Sequence, residues 1–435
     1  MKVYAFPRGG IRYEDTTVPP RTSSVTAFLP GFSVIPLIQH TGPRAFPVVN
    51  IGDYVREGML IGRGQGLGSA NIHATAPGRV VNMVSWKTAA DINNDALVIR
   101  LEGRFEKLGR KEDSFRWEGL SSFEIQRIIA DMGIVEMEGV GAPVSDILSA
   151  FRSLSEPISM VVRCIFDDPW LAADYVLCKE RFQAVLEGAF ITARASRANR
   201  VIFAVSEQEK DLAGSFRTVQ PPGGIEVSTV LVGSRYPQRN RRELEMVLRI
   251  YEKKEGLTLG ALLILGPATL AAIHDAVKLN KPILDRYVSV GGSAVKNPQV
   301  MKVRIGTRIG EVFAECGGFI DKPKRIATGS PLLGWAVVDL DEPIIKTSFA
   351  VFALLEKQVG GGPSRGCISC GECRRVCPVG LDPEELYKWA KSSVKTSDET
   401  QGRAVECHGC GCCEAVCPSR LPLGKVIQDS ALRGN

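Results

Sequence analysis

Cys367-Ile-Ser-Cys370-Gly-Glu-Cys373-Arg-Arg-Val-Cys377-Pro378 is followed later in the chain by Cys407-His-Gly-Cys410-Gly-Cys412-Cys413-Glu-Ala-Val-Cys417-Pro418. Both runs read C-x2-C-x2-C-x3-C-P, the spacing that wraps a [4Fe–4S] cubane. Three thiolates spaced this way curl a short loop round one face of a cluster, and the fourth, followed by proline, points away. In proteins with two such runs the fourth cysteine ligates the neighbouring cluster. The expected ligand sets are therefore Cys367, Cys370, Cys373 and Cys417 for one cluster, and Cys407, Cys410, Cys413 and Cys377 for the other. Gly371, Gly409 and Gly411 suit close backbone approach to the inorganic core, because glycine lacks a side chain and tolerates positive φ. Cys412 is off the spacing and is expected to be a spare thiol.

Two other chemistries use clustered cysteines. Disulfides need an oxidising compartment, whereas Met1-Lys2-Val3 leads into polar, glycine-bearing sequence with no apolar signal region. Zinc favours two separated pairs of ligands rather than four cysteines closed by proline. Cys164, Cys178 and Cys316 stand alone in sequence and are expected to be buried small apolar residues. His408 falls inside the second cysteine loop, where solvent exposure is the expectation and a hydrogen bond that tunes a cluster's potential the alternative.

The 435 residues are 44% hydrophobic and 23% charged, an ordinary composition for a multidomain globular protein. A net charge of +6 spread along the chain argues against nucleic acid and against a polybasic membrane anchor, and leaves room for an acidic protein partner. Leu257 to Val277 is apolar over nearly the length of a membrane helix. Gly266-Pro267 splits it, which predicts a buried strand from Gly260 to Leu265 turning into a helix at Pro267.

Residues 34–84 alternate short β-like runs with glycine turns: VIPLIQH, FPVVNIGDYVREGMLIG and NIHATAPGRVVNMV. The pattern V-x-x-G-D-x-V-x-x-G-x-x-I, then A-P-G-x-V, resembles a lipoyl-type barrel-sandwich hybrid. No lysine falls between Glu57 and Lys87, so a swinging arm is not expected. Gly62, Gly64, Gly66 and Gly68 lack the Lys-Ser/Thr ending of a phosphate loop and predict a flexible hairpin. From about 120 to 280, helix-sized segments (Ser122 to Met132, Leu171 to Ala193, Arg241 to Lys254) alternate with β-rich runs (Ser159 to Val162, Arg200 to Val205, Ser228 to Val232). That alternation predicts an α/β layer with a largely parallel sheet and ligand sites at the carboxyl ends of its strands. Residues 284–335 return to short strands. Gly360 to Pro363 reads as a linker, and Asp382-Pro383-Glu384-Glu385 starts a helix running to about Lys391.

The order QHTGPRAFPVVNIGDYVREGMLI, NIHATAPGRV, RYVSVGGSAVKNPQVMKVRIGT, TGSPLLG, PIIKTSFAVFAL and the two cysteine motifs resembles the RnfC family of the Rnf electron-transport complex over nearly the whole chain. The resemblance implies a multidomain α/β architecture. Residues 1–115 would contain the barrel-sandwich hybrid, and 116–282 an α/β domain similar to the flavin subunit of respiratory complex I. Residues 283–350 would hold a β-grasp unit of the soluble-ligand-binding kind with a connecting segment, and 351–435 a helical ferredoxin-like module with two clusters. It further implies a peripheral subunit on the cytoplasmic side of the inner (plasma) membrane, partnered by other subunits of a membrane oxidoreductase and by ferredoxin or NADH. Electrons would pass from NADH through FMN and two [4Fe–4S] clusters while the complex moves ions.

The middle of the chain departs from that pattern. The family's glycine loop G-x-G-G-A-G-F-P aligns with Glu136-Met137-Glu138-Gly139-Val140-Gly141-Ala142-Pro143, where two carboxylates replace glycines. Beside a flavin or nucleotide phosphate they would repel it and crowd the backbone. The acidic run N-G-A-E-C-E-P-Y aligns with Arg163 to Trp170; Asp168 and Pro169 are kept, the asparagine is Arg163 and the first glutamate is Phe166. Y-P-Q-G-G-E becomes Tyr236 to Arg241, and an asparagine expected before a Val-Gly pair is Ile264. Gly139, Gly141 and Asp168 are what is left of a flavin or NADH site. Arg163, Arg239, Arg241 and Arg242 are expected on a solvated or partner-facing basic surface; the alternative is a rebuilt anion site that binds a phosphate by side chains rather than by backbone. The leading expectation is an electron-transfer subunit with a scaffold-like central domain; the alternatives are an active NADH-oxidising FMN subunit and a soluble enzyme similar to cobalamin reductases of this domain order.

Overall fold

The computed structural model describes residues 2–12, 14–87, 93–104, 114–359, 362–392 and 398–433. Of the expected linker, Gly360 and Gly361 lie outside these residues.

At the centre, strands Val3–Tyr4, Glu226–Val232, Arg200–Ser206, Ile158–Cys164 and Ala261–Leu265 lie side by side in that order, all parallel. Their β-branched runs are apolar on both faces because helices cover both sides. Met160, Val162 and Cys164 enter one core with helices Phe182–Ser196 and Pro267–Leu279. Val161 and Ile165 enter the opposite core, against Leu244 and Leu248 of helix Arg241–Glu255. The apolar stretch 257–277 resolves as expected into strand Ala261–Leu265 and a helix with Pro267 in its first turn. Among the described residues no helix is long and apolar enough to cross a membrane.

One expected element is corrected. The single helix read from Leu171 to Ala193 is two, Ala172–Glu180 and Phe182–Ser196, broken at Arg181 with φ −116° and ψ 31°. Arg181 donates two bonds, 3.0 and 2.7 Å, to the carboxylate of Asp275. Such a forked ion pair fixes the side chain in place, and nothing in local periodicity announces it.

The β-rich unit is a six-stranded sheet in the order Trp335–Ala336, Arg325–Thr328, Ala350–Leu354, Asp285–Gly291, Gln299–Arg304 and Ser24–Thr26, with helix Ile309–Glu315 packed on it. The N-terminal sandwich sets the sheet Phe32–Pro36, Asn93–Leu101, Gly78–Lys87, Tyr54–Val55 against the sheet Phe46–Pro47, Leu60–Arg63, Ile72–His73. Ile35, Ile61, Ile72, Leu97 and Ile99 fill the space between them. Its glycine hairpin is tied down rather than loose. Gly64 N–H donates to Asn71 at 3.0 Å, Gly42 N–H to Gly68 O at 2.7 Å, and Gly68 N–H to Asp146 of the neighbouring layer at 2.8 Å.

The strands Val3–Tyr4 and Ser24–Thr26 belong to two other sheets, so the start of the chain threads through the whole molecule. Lys346 pins three bodies together. It is buried, and its Nζ donates to Asn71 O (2.9 Å) and Gly133 O (2.8 Å); burial pulls its pKa down to about 7.

Candidate redox site

The two cysteine runs fold as copies forty positions apart. Ser369, Gly371 and Gly380 have φ of 53°, 76° and 73°, and their counterparts Gly409, Gly411 and Arg420 have 63°, 75° and 54°. Each loop ends on a left-handed glycine that starts a short helix, Glu372–Val376 or Cys412–Ala415. Asp382 caps the intervening helix Pro383–Lys391 by accepting from Glu385 N–H at 3.1 Å, the start expected from its sequence.

The structure brings Cys377 to Cys407, Cys410 and Cys413. All four line one cavity with Leu381, Leu386 and Ile427. Burial pushes the Cys377, Cys407 and Cys413 thiols up, and the Cys410 sulfur beside each of them adds to the rise. Sulfurs that resist joint ionisation in an apolar pocket would be stabilised by positive iron placed between them. Cys373 and Cys417 meet in a second apolar cluster with Leu421 and Leu423, which Cys413 also touches, while Cys367 and Cys370 stand on the exposed loop before it. No three His, Cys, Asp or Glu side chains among the described residues close round a point as the ligands of one ion do. Thiolates that each hold a different corner of a cubane stand farther apart. Leu381 N–H reaches Cys377 Sγ at 3.2 Å, and its repeat mate Leu421 N–H reaches Cys417 Sγ at 3.5 Å. Hydrogen bonds of this kind tune a cluster's potential.

Sequence reasoning missed how the second loop is roofed. Tyr236 donates its hydroxyl to Cys410 O at 2.8 Å. His408 is not solvent exposed: its Nδ1 meets the fully buried Glu243 at 2.5 Å. Gly10 N–H donates to Val376 O at 2.8 Å, and Gly9 (φ 67°) lies so close to Cys377 O that a Cβ there would collide with it. The adjacent glycines 9 and 10 were the available signal. Cys412 is buried between Cys410 and the main chain of Tyr236. Cys164, Cys178 and Cys316 are buried as expected, with Cys164 and Cys178 sulfurs 3.8 Å apart.

A cleft of about 1100 Å³ opens at the carboxyl ends of the central strands. Cys407 and His408 form part of its wall, facing Arg239, Arg241 and Arg242, with Trp335 and Phe349 on the side of the β-rich unit. Of the candidate flavin or NADH residues, Gly139 and Asp168 reach this lining; Gly141 instead packs against Gln39, His40 and Thr347. Asp168 caps a turn by accepting from Trp170 N–H at 2.9 Å. Burial pushes Asp167 up to about 7.

Four family models match in chain order: the RnfC barrel sandwich hybrid domain over residues 6–104, the Nuo51 FMN-binding domain over 129–273, the SLBB domain over 287–335 and the 4Fe-4S dicluster domain over 366–421. An RnfC-type relative from the proton-translocating ferredoxin:NAD(+) oxidoreductase complex of Clostridium ljungdahlii is 30% identical over 405 residues, spanning 90% of this chain and 87% of the relative. The chain belongs to the RnfC family.

Two further RnfC relatives are similar over most of their length. The corresponding member of the ion-translocating oxidoreductase complex of Rhodobacter capsulatus is 30% identical over 362 residues, 82% of this chain and 69% of that one. Its equivalent in the Na(+)-translocating ferredoxin:NAD(+) oxidoreductase complex of Acetobacterium woodii is 25% identical over 408 residues, 89% and 88%. A chain of an NAD+-reducing [NiFe]-hydrogenase aligns with 66% of this one at 14% identity and a TM-score of 0.46, too slight a likeness to argue from. The RnfC module carrying the cysteines is an iron–sulfur domain, and the central layer has the fold of an FMN-binding domain.

Within that RnfC fold, the departures in the glycine loop have structural uses. Glu138 accepts from Ala268 N–H (2.7 Å), Thr269 N–H (3.1 Å) and the Thr269 hydroxyl, so it caps the helix that starts at Pro267. A helix N-terminus is where a phosphate would otherwise be held. Glu136 stands 3.8 Å from the buried Arg163, and the space a side chain at Gly139 would need is filled by the Glu136 carboxylate. Arg163 is buried rather than on the solvated face expected of it, and Arg239, part-buried in the cleft wall, is 3.4 Å from the buried Asp174. The loop that would cradle a phosphate through its backbone is filled by the chain's own carboxylates.

Proposed function

We propose that this chain is the electron-transfer subunit of an ion-translocating membrane oxidoreductase, working at the membrane's cytoplasmic side through two [4Fe–4S] clusters. The observation that carries this is the cavity shared by Cys377 with Cys407, Cys410 and Cys413. It supports a ligand exchange between the motifs: Cys367, Cys370, Cys373 and Cys417 for one cluster, the other four for its neighbour. When bound, such clusters supply one-electron transfer. Leu381, Leu386 and Ile427 keep water from the second site, and Tyr236 holds its loop through Cys410 O.

In this reading the central domain is a scaffold and holds no FMN. The support is Glu138 at the end of the Pro267 helix and Glu136 against Gly139, which leave no free backbone cradle for a flavin phosphate. A second reading, an NADH-oxidising subunit with bound FMN, is favoured by the size of the cleft and its cluster-bearing wall.

Reconstituted full-length protein separates them. About eight irons per chain, no flavin, and clusters that stay oxidised when NADH is added are expected; stoichiometric FMN or bleaching by NADH would sink the scaffold reading. In EPR, Cys377→Ser is expected to damage the cluster held mainly by the second motif, and Cys417→Ser that of the first. Damage confined to each cysteine's own motif would show the exchange to be wrong.

A further inference from the structure

The cleft of about 1100 Å³ is too evenly charged to favour a polyanion: five carboxylates and four arginines line it. Three of those arginines already face a carboxylate. Arg163 lies 3.8 Å from Glu136, Arg239 3.4 Å from Asp174, and Arg241 2.9 Å from Glu245. Glu138 fills the helix end that could have held a phosphate. A ligand without net charge enters such a site with no unbalanced charge to desolvate.

Apolar side chains stand on both sides of the cleft. Val140 of the central layer is 77% exposed, and Leu333 and Trp335 of the β-rich unit are 47% and 63% exposed, with Phe349 beside them in the lining. Large apolar groups kept in water at a cavity mark a surface that a ligand covers. Two buried groups of the lining have unmet bonds: Arg163 Nε and Nη2 and Asp167 Oδ1 are without a hydrogen-bond partner among the described residues. Both side chains are more than nine-tenths buried. The other Asp167 oxygen accepts from Arg239 N–H at 2.9 Å, and burial pushes this carboxyl up to about 7, so in slightly acid solution Oδ1 carries the proton. Arg163 and Asp167 then both donate, and a buried donor left unmet is costly. A neutral group that answers them is a carbonyl oxygen. Cys407 in the same wall sets the ligand beside a cluster thiolate.

We propose that the cleft binds a quinone, a neutral planar ring whose carbonyl oxygens accept from Arg163 and Asp167 and whose faces lie against Trp335 and Phe349. A conjugated dicarbonyl joins the acceptors these donors need to the capacity to take electrons one at a time. In the exchange the two C=O bonds of the quinone become two C–OH groups. Two electrons come singly from the site held by Cys377, Cys407, Cys410 and Cys413, which a one-electron reductant refills. One proton comes from the Asp167 carboxyl, which water reprotonates, and the other from water. The electron exchange rests on the two-cluster reading above; the binding site itself needs no iron.

The test uses reconstituted full-length protein in slightly acid buffer and, as probe, duroquinone, whose fully methylated ring does not add to thiols. Equilibrium dialysis is expected to show saturable binding of one duroquinone per chain, undisturbed by FMN or NADH. Trp335→Ala is expected to weaken it about tenfold, and Asp167→Ala about tenfold, whereas Asp167→Asn keeps an N–H donor and most of the affinity. Phe123→Ala, at an exposed aromatic of helix Ser122–Asp131 outside the cleft lining, is expected to change nothing. If Asp167→Ala fails to fold, Trp335→Ala decides alone. In stopped flow, clusters reduced by dithionite, with the excess removed, are expected to be reoxidised at a rate that saturates with duroquinone and falls in Trp335→Ala, with iron content and both EPR signals kept. No binding, unchanged affinity in Trp335→Ala or in folded Asp167→Ala, an equal loss in Phe123→Ala, or displacement of duroquinone by FMN would overturn the site. Saturable binding with a reoxidation rate that rises linearly and ignores Trp335 would overturn the electron exchange. Absence of clusters from wild type, with binding intact, would instead overturn the reading beneath it.

Discussion

Glu138 replaces a glycine in a loop that resembles a phosphate cradle, and its carboxylate ends on a helix 130 positions further along the chain. The replacement was legible in the sequence, but its destination was not, because a cap supplied across the fold leaves no local signature. Glu138→Ala is expected to cost about 1–2 kcal/mol, the usual loss of a helix cap, read as a lower midpoint in thermal or urea unfolding. Glu138→Gln should keep part of it. Asp167 makes a pH-dependent case. Its carboxyl is raised from 3.8 to about 7, first by burial. The folded chain therefore holds this proton more tightly, and the stability it contributes is complete below pH 3.8 and lost as pH rises through 7. Asp167→Asn should raise the melting temperature at pH 8, with the gain shrinking as the pH is lowered toward 4.

Elements were read well where periodicity decides them, and poorly where one distant side chain does. Buried strands such as Arg200–Ser206 and the split apolar stretch at Gly266 followed from residue pattern alone. The break at Arg181 did not, since it is fixed by Asp275 on another helix. That second helix, Pro267–Leu279, presses on Phe182–Ser196 at Gly188, where an added Cβ would land on Leu270 O. Gly188→Ala is expected to destabilise by about 2 kcal/mol or more through overpacking, measurable in denaturant unfolding, even though alanine is the better helix former. Arg197 closes the same helix with φ 63° on an exposed site. Glycine there should add up to about 1 kcal/mol by removing the left-handed penalty.

For the molecule as a whole, the sequence yielded the parts in order but not their seams. His73 and Lys346 sit buried where the N-terminal sandwich meets the central layer. Burial holds His73 down to about 3 from an ordinary 6.5. The unfolded chain thus takes up that proton first, and stability should fall as the pH drops from 6.5 toward 3. A pH series of urea midpoints should flatten across that window in His73→Gln. The strap at Gly9 gives a test of long-range assembly. Gly9→Val should disturb the site containing Cys377, lowering its EPR signal while the signal of the other site persists.

The threading of the first residues has a further consequence for how the protein is made. Ser24–Thr26 pairs with Val300–Lys302, and Val3–Tyr4 with Leu231–Val232. Synthesis runs from the N-terminus at roughly 5–20 residues per second, so these strands emerge well before the segments that receive them. The central parallel sheet cannot close, nor the β-rich unit complete its edge, until most of the chain has left the ribosome. Contacts so far apart slow folding and leave strand edges open in the interim. The order of translation therefore sets a waiting period for the N-terminal segment, and the strap at Gly9 closes over Cys377 late in assembly.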